Sequence, residues 1–149
     1  MKTKNLYQYP MRKEDVIRTD TSSPAHEGKL KYAVDFLCKE GSRVHVAYDG
    51  EIVEVLDNKK ENTLEKEDMN DAGNFILVKH ENGEYSHYAH FRYNGILKKK
   101  GDKILQGDLL GFSGNTGFSY GPHLHFSVIK FTGKLKDDFE SLEIRWKRR

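Results

Sequence analysis

The strongest constraint on the fold is a missing one: helical periodicity is absent from nearly the whole chain. Apolar residues recur in short runs rich in β-branched and aromatic types, each closed by glycine, asparagine or aspartate. YAVDFLC, FILVKH, EYSHYAHF and HLHFSVIKF read as strands, and LEIRWK as one more. RVHVAYDGEIVEVLDN reads as a hairpin about Asp49-Gly50, a dipeptide that favours two-residue turns. Glu81-Asn82-Gly83 turns FILVKH into the strand that follows it. The stretch from Arg92 to Gly117 carries six glycines among short apolar pairs, which suits small strands crossing at corners. These signals predict an all-β protein, a barrel-like or sandwich domain of short strands.

Composition supports a folded domain. The 149 residues suffice for one core, and eight Phe, eight Tyr and one Trp supply large apolar surfaces against a charged fraction of 32%. The net charge of +2 is too small to argue for nucleic acid and mildly favours an anionic surface. The dense basic runs, Lys98 to Lys100 and Arg145 to Arg149, read as a solvated edge and a tail. A single cysteine, Cys38, excludes an internal disulfide and reads as a small buried hydrophobe. Residues 1–22 form an irregular or edge-strand lead-in to a domain at 23–149, with Tyr7, Tyr9 and Pro10 able to pack onto a sheet. Residues 1–20 contain no apolar run of signal length, and no stretch approaches a membrane span. The segment KKENTLEKEDMNDAGN is too polar for a core element and reads as a long loop with one helical turn.

The seven histidines carry the chemistry. In His123-Leu124-His125 strand alternation puts His123, His125 and Ser127 on one face, and Leu124, Phe126 and Val128 on the other. The apolar face buries itself; the other presents two imidazoles about 6.5–7 Å apart at Cα. By the same rule Tyr88 and His90 share a face opposite His87, so a regular strand brings His90, and not His87, to the site. Asp35 sits in the apolar run Tyr32 to Phe36, where a carboxylate needs a partner. His26 lies in a loop after Pro24. Two imidazoles and one carboxylate form the three-protein-ligand set of catalytic zinc sites, which leave a fourth position for water. No HExxH helix is present.

In the order His26…Asp35, Gly50-Glu-Ile-Val, Asn74, Tyr88-Ala89-His90, Gly101-Asp-Lys…Gln106-Gly107, Gly111…Gly114-Asn-Thr-Gly117 and Gly121-Pro-His-Leu-His-Phe126, the chain resembles the lysostaphin/LytM-type zinc metallopeptidases, from about Ser23 to Lys130. The resemblance implies a zinc-dependent endopeptidase that hydrolyses peptide cross-links of bacterial peptidoglycan with zinc-activated water. It implies His26, Asp35 and His125 as ligands to Zn2+, and His90 and His123 as the unliganded catalytic pair. His123 is the preferred general base and His90 the orienting group, and the two roles are exchangeable. It also implies a small antiparallel, barrel-like single domain with long loops around an open groove, and a peptidoglycan peptide as substrate. The chain is expected to be a monomer without nucleic acid or membrane span, acting outside the cytoplasm if a leader precedes it and inside if none does. Many members separate the first two ligands by three residues; here eight intervene, as in a subset with the longer form that HEGKLKYAVDF resembles. His45 and His80 are the substitutes should His26 not reach the site. The alternatives are a non-catalytic wall-binding or activator module of the same fold, and a metallopeptidase acting on other peptides.

Overall fold

The computed structural model describes residues 1–149. Fourteen strands follow in chain order: β1 (Lys2–Tyr7), β2 (Arg18–Asp20), β3 (Val34–Leu37), β4 (Arg43–His45), β5 (Gly50–Leu56), β6 (Asn62–Thr63), β7 (Asn74–Lys79), β8 (Tyr85–Ile96), β9 (Lys103–Ile104), β10 (Leu109–Ser113), β11 (Gly117–Phe118), β12 (His123–Phe131), β13 (Phe139–Ser141) and β14 (Glu143–Trp146). The only helices are single 3₁₀ turns, and none is long and apolar enough to cross a membrane. The all-β reading holds.

One large antiparallel sheet runs β2-β3-β12-β8-β7-β5-β9. Its first face is the core. Leu124, Phe126 and Val128 of β12, Tyr88 of β8, Ile76 and Val78 of β7, Ile52 of β5 and Phe36 of β3 are buried there. The sheet curls through β8, whose second half pairs with β10 (Ser113 opposite Phe91, Gly111 opposite Ile96), and β10 in turn pairs with β4. This curl brings Val44 and Leu110 over the core face. The lead-in is built into the same core. Tyr7 is fully buried, β1 pairs in parallel with β14, and Tyr9 stacks on Trp146 at 4.3 Å between ring centroids. Cys38 is buried beside Ser113, and burial pushes its thiol pKa up.

The hairpin expected at Asp49-Gly50 does not form. β4 pairs with β10, while β5 pairs with β7 and β9, so the chain crosses from one part of the sheet to another at this dipeptide. Partners from elsewhere hold the crossing: Asp49 Oδ1 accepts from the Gln106 amide at 2.8 Å, and the Asp49 carbonyl accepts from His80 Nδ1 at 2.7 Å. Gly50 is needed for close approach rather than for turning. A Cβ there would stand 2.3 Å from the Lys79 carbonyl oxygen. The β7–β8 hairpin does form, with Asn82 and Gly83 at φ near +65° and +69°.

The polar stretch 59–74 contains the expected helical turn, at Lys66–Asp68, and the short strand β6. It is fastened to the segment before β12. β6 pairs in parallel with β11, Phe118 N donates to the Asp71 carbonyl, and Lys59 Nζ lies 2.9 Å from Asp71. Gly73 and Gly117, both at positive φ, meet at this contact; a Cβ on Gly117 would lie 2.3 Å from Gly73 N.

Candidate active site

The second face of the large sheet is a groove floor, and cross-strand register decides who stands on it. Residues directly opposite in an antiparallel pair share a face. His125 is opposite Asp35 on β3 and Ala89 on β8. Hence Asp35 and His125 project together, and their ring nitrogen and carboxylate meet: Nδ1 of His125 lies 3.2 Å from Asp35 Oδ1.

His26 arrives from above the sheet. Ser23-Pro24-Ala25-His26 forms a 3₁₀ turn in which His26 N donates to the Ser23 carbonyl at 2.8 Å and Ser23 Oγ accepts from Ala25 N. The eight residues to Asp35 loop outward through a second turn, Gly28–Leu30, opened by Gly28 at φ near +60°. β13 anchors the excursion, since Tyr32 N donates to Ser141 Oγ at 3.0 Å. The long spacing therefore still closes. His26 Nε2 stands 3.1 Å from Asp35 Oδ1 and 3.3 Å from His125 Nδ1.

These three atoms form a nearly equilateral triangle of buried donors. Hydrogen bonding alone accounts for two of its edges, because each imidazole can give its proton to the carboxylate. The third edge then sets two N–H groups against each other. A cation facing three lone pairs satisfies all three edges. Donors around a tetrahedral zinc at about 2.0–2.1 Å stand about 3.3–3.4 Å apart, so the donor set and its dimensions fit that ion. Burial pushes the Asp35 carboxyl upward, but the hydrogen bonds from His125 and His26 outweigh it and hold the group far below the usual carboxylate range. Burial pushes His125 down, while in His26 the ionised Asp35 overcomes burial and raises the imidazole.

Two more imidazoles flank the triangle. His123 and His90 lie ring to ring, 4.6 Å between centroids, and His123 Nε2 is 3.8 Å from Asp35 Oδ1. A backbone carbonyl fixes the tautomer of each. His90 Nδ1 donates to Thr116 O at 2.6 Å, and His123 Nδ1 to Gly121 O at 2.8 Å with Ser119 Oγ at 3.1 Å. Each is left with a lone pair on Nε2. Burial, with the neighbouring His123 and His125, drives the His90 pKa well below its ordinary value.

His90 does not reach the site by regular alternation. On β8 the step from Ala89 to Phe91 is matched by the single step from Phe75 to Asn74 on β7, so His90 is the extra residue of a β-bulge, at φ near +68°. Tyr88 points into the core, where its hydroxyl accepts from Ala47 N. His87, expected on the wrong side, is on the groove face opposite Ser127 and lines the same cavity as His90. The expectation that His87 and His90 exclude each other fails because the strand is not regular. Nothing local to EYSHYAHF signals the bulge. It is tied by distant groups: Thr116 Oγ1 accepts from Asn74 N at 3.1 Å and donates to Phe91 O at 2.7 Å, and His90 N donates to Ala72 O. Thr116 lies within Gly114-Asn-Thr-Gly117 and Ser119 just after it, and the type of neither residue signals these bonds. His45 and His80 are bound elsewhere, to Gly107 O and to Asp49 O with Ser86, so neither replaces His26.

The cavity over the triangle measures about 700 Å³ and is walled by residues 22–26, 69–72 and 118–123. With that geometry in hand, comparison with known proteins is specific. The family model described as Peptidase family M23 matches residues 29–137. The peptidoglycan DD-endopeptidase ShyA of Vibrio cholerae is 35% identical over 95 residues, covering 64% of this chain and 19% of that protein. The glycyl-glycine endopeptidase ALE-1 of Staphylococcus capitis is 34% identical over 100 residues, covering 66% and 24%. The chain thus spans about a fifth to a quarter of the length of these curated relatives. Among solved structures, a zinc-containing peptidase from Vibrio cholerae superposes with a TM-score of 0.63 at 26% identity, over 83% of this chain and 36% of that one. The lysostaphin catalytic domain from Staphylococcus simulans shares the fold, with a TM-score of 0.58 over 94% of this chain and 88% of that one at 24% identity. A match over most of the chain, taking in the strand that carries His123 and His125, leaves one assignment: the chain belongs to peptidase family M23.

Proposed function

We propose that this protein is a zinc-dependent endopeptidase acting on the peptide cross-links of bacterial peptidoglycan, outside the cytoplasm. The observation that carries the reading is the donor triangle of 3.1–3.3 Å with two imidazole lone pairs beside it. In this reading residues 23–149 are the peptidase unit and residues 1–22 a lead-in packed against it. His26 Nε2, Asp35 and His125 Nδ1 would hold the zinc. When bound, the zinc supplies Lewis acidity toward a carbonyl oxygen and lowers the pKa of water to about 7.

The remaining work belongs to the protein. His123 Nε2, closest to the triangle, takes a proton from the attacking water and returns it to the leaving amine nitrogen. His90, kept neutral by burial, orients the scissile amide or the water through its own Nε2. Gly121 O and Thr116 O hold both rings in the tautomer that leaves Nε2 free to accept. Residues 69–72 and 118–123 line the cavity over the triangle.

Purified peptidoglycan digested with the zinc-loaded protein should release shorter muropeptides by mass spectrometry. His125→Ala should lose both zinc and cleavage. Stoichiometric zinc with no product from the wild type would leave a wall-binding module instead, and activity retained by His125→Ala would sink the ligand set.

A further inference from the structure

A second concentration of chemistry lies away from the groove. The basic run Arg145 to Arg149, expected as a tail, is fastened at several points. Lys147 N donates to Tyr7 O at 2.8 Å, and its Nζ to Gln106 Oε1 at 2.8 Å. Arg149 lies over the ring of Tyr9, 4.1 Å from its centroid, and its Nη2 donates to Met11 O at 2.8 Å. The end of the run and the segment around Arg12 together line a cavity of about 630 Å³. Arg12, Lys13, Lys147, Arg148 and Arg149 stand on its walls against one acidic side chain, Glu14. That surplus exceeds the net charge of +2 of the whole chain, and it would outlast a terminal carboxylate at Arg149. None of these five cations makes an ion pair, and Asp15, next to Glu14, is already paired with Arg43 at 3.4 Å. A concavity lined by one sign of charge focuses its field and concentrates ions of the other sign.

Shape and lining narrow the occupant. A bilayer face touches only the rim of a concavity, whereas a single flexible chain can enter it. Single-stranded nucleic acid needs an open aromatic face on which to stack its bases. Tyr9 offers none, because Trp146 stacks on one face at 4.3 Å between centroids and Arg149 covers the other. Three of the five cations are arginines, whose planar fork matches the oxygens of a phosphate in pairs.

We propose that this cavity docks a flexible polyanion whose phosphates carry no aromatic base, a polyol phosphate chain, and so anchors the protein with its groove free. Asp35 projects to the groove and its neighbour Phe36 into the core. Tyr9 and Trp146 pack edge-on against Phe36. The sheet and its core layer therefore stand between the basic cavity and the donor triangle.

Docking of this kind needs no catalysis, so its test reads binding alone. The full zinc-loaded chain is titrated at low salt into end-labelled poly(glycerol phosphate), with fluorescence anisotropy as the readout. Arg12→Gln/Arg148→Gln/Arg149→Gln should weaken binding by at least about tenfold. Lys98→Gln/Lys99→Gln/Lys100→Gln removes the same charge from the other basic run and should stay within about twofold of the wild type. Arg12→Gln/Lys13→Gln leaves the contact of Arg149 with Tyr9 in place and should weaken binding by at least about threefold. Melting temperatures show which variants are folded, and the double variant carries the test if the first triple variant is not. No binding by the wild type, or equal losses in the two triple variants, overturns the proposal. Equally tight binding of an oligothymidine or of anionic phospholipid vesicles, with the same dependence on Arg12, overturns it too.

Discussion

Replacing Thr116 by valine tests whether the bulge that delivers His90 is held from a distance. The side chain is 4% exposed, and valine matches its shape. The hydroxyl makes two hydrogen bonds, accepting from Asn74 N and donating to Phe91 O. After the substitution Phe91 O keeps a bond from Asn74 Nδ2 at 3.2 Å, so that side loses only about 1 kcal/mol. Asn74 is fully buried, and its amide loses this acceptor, which costs about 1–3 kcal/mol. The sum is about 3 kcal/mol, and for a domain of this size the melting temperature should fall by roughly 6–12 °C. Thr116→Ser keeps both bonds and should stay within about 1 kcal/mol. The backbone carbonyl that binds His90 Nδ1 survives in both variants. Hence the tautomer is kept, and kcat should fall in the valine variant only through loosening of the bulge. Thermal unfolding at fixed zinc, with kcat on a soluble cross-link peptide, decides the matter. A valine variant as stable and as active as the serine variant refutes the argument that this hydroxyl ties the strand.

Further outcomes follow from the same geometry. In the proposed mechanism His123 moves a proton and does not hold the metal, so His123→Ala should lower kcat by about 10²–10⁴-fold while zinc content stays at one per chain; loss of zinc in that variant would contradict this division of labour. His87 has its pKa lowered by burial and by His125 to about 3 in the folded state. As pH falls below about 6.5 the unfolded chain binds a proton that the folded metal-free protein does not, so stability at this residue is lost toward acid. Between pH 7 and 5.5 the gap between the metal-free wild type and His87→Gln should shift by about 1 kcal/mol in favour of the variant, measured by urea unfolding, and a gap that does not vary with pH would refute the assignment. Deleting residues 60–67 removes β6, and with it the contact to β11 beside the groove. Cleavage of purified wall should fall, and unchanged cleavage would show that this loop has no part in substrate access.

Some of this protein is legible without coordinates. Alternation in His123-Leu124-His125-Phe126 settles which imidazoles face the groove, because each residue's face on a regular strand depends only on its parity. The apolar surroundings of Asp35 announce a carboxylate with a fixed partner, and the polarity of 59–74 announces a surface loop. Other features depend on pairings between remote segments. Asp49-Gly50 has the chemistry of a hairpin turn, yet β4 and β5 take partners far along the chain, since burial of Val44 and Ile52 in one core outweighs a local turn preference. His26 reaches Asp35 across an eight-residue excursion that β13 anchors through Ser141. His87 and His90 share a face only because Thr116, Asn74 and Ala72, from two other segments, stabilise a bulge that the local strand sequence does not announce. The sequence by itself determined the fold class, the face that carries His123 and His125, and the need for a partner at Asp35. The tertiary structure alone decided that the groove floor holds His87 together with His90, because a one-residue bulge inverts the parity on which any sequence reading of a strand depends.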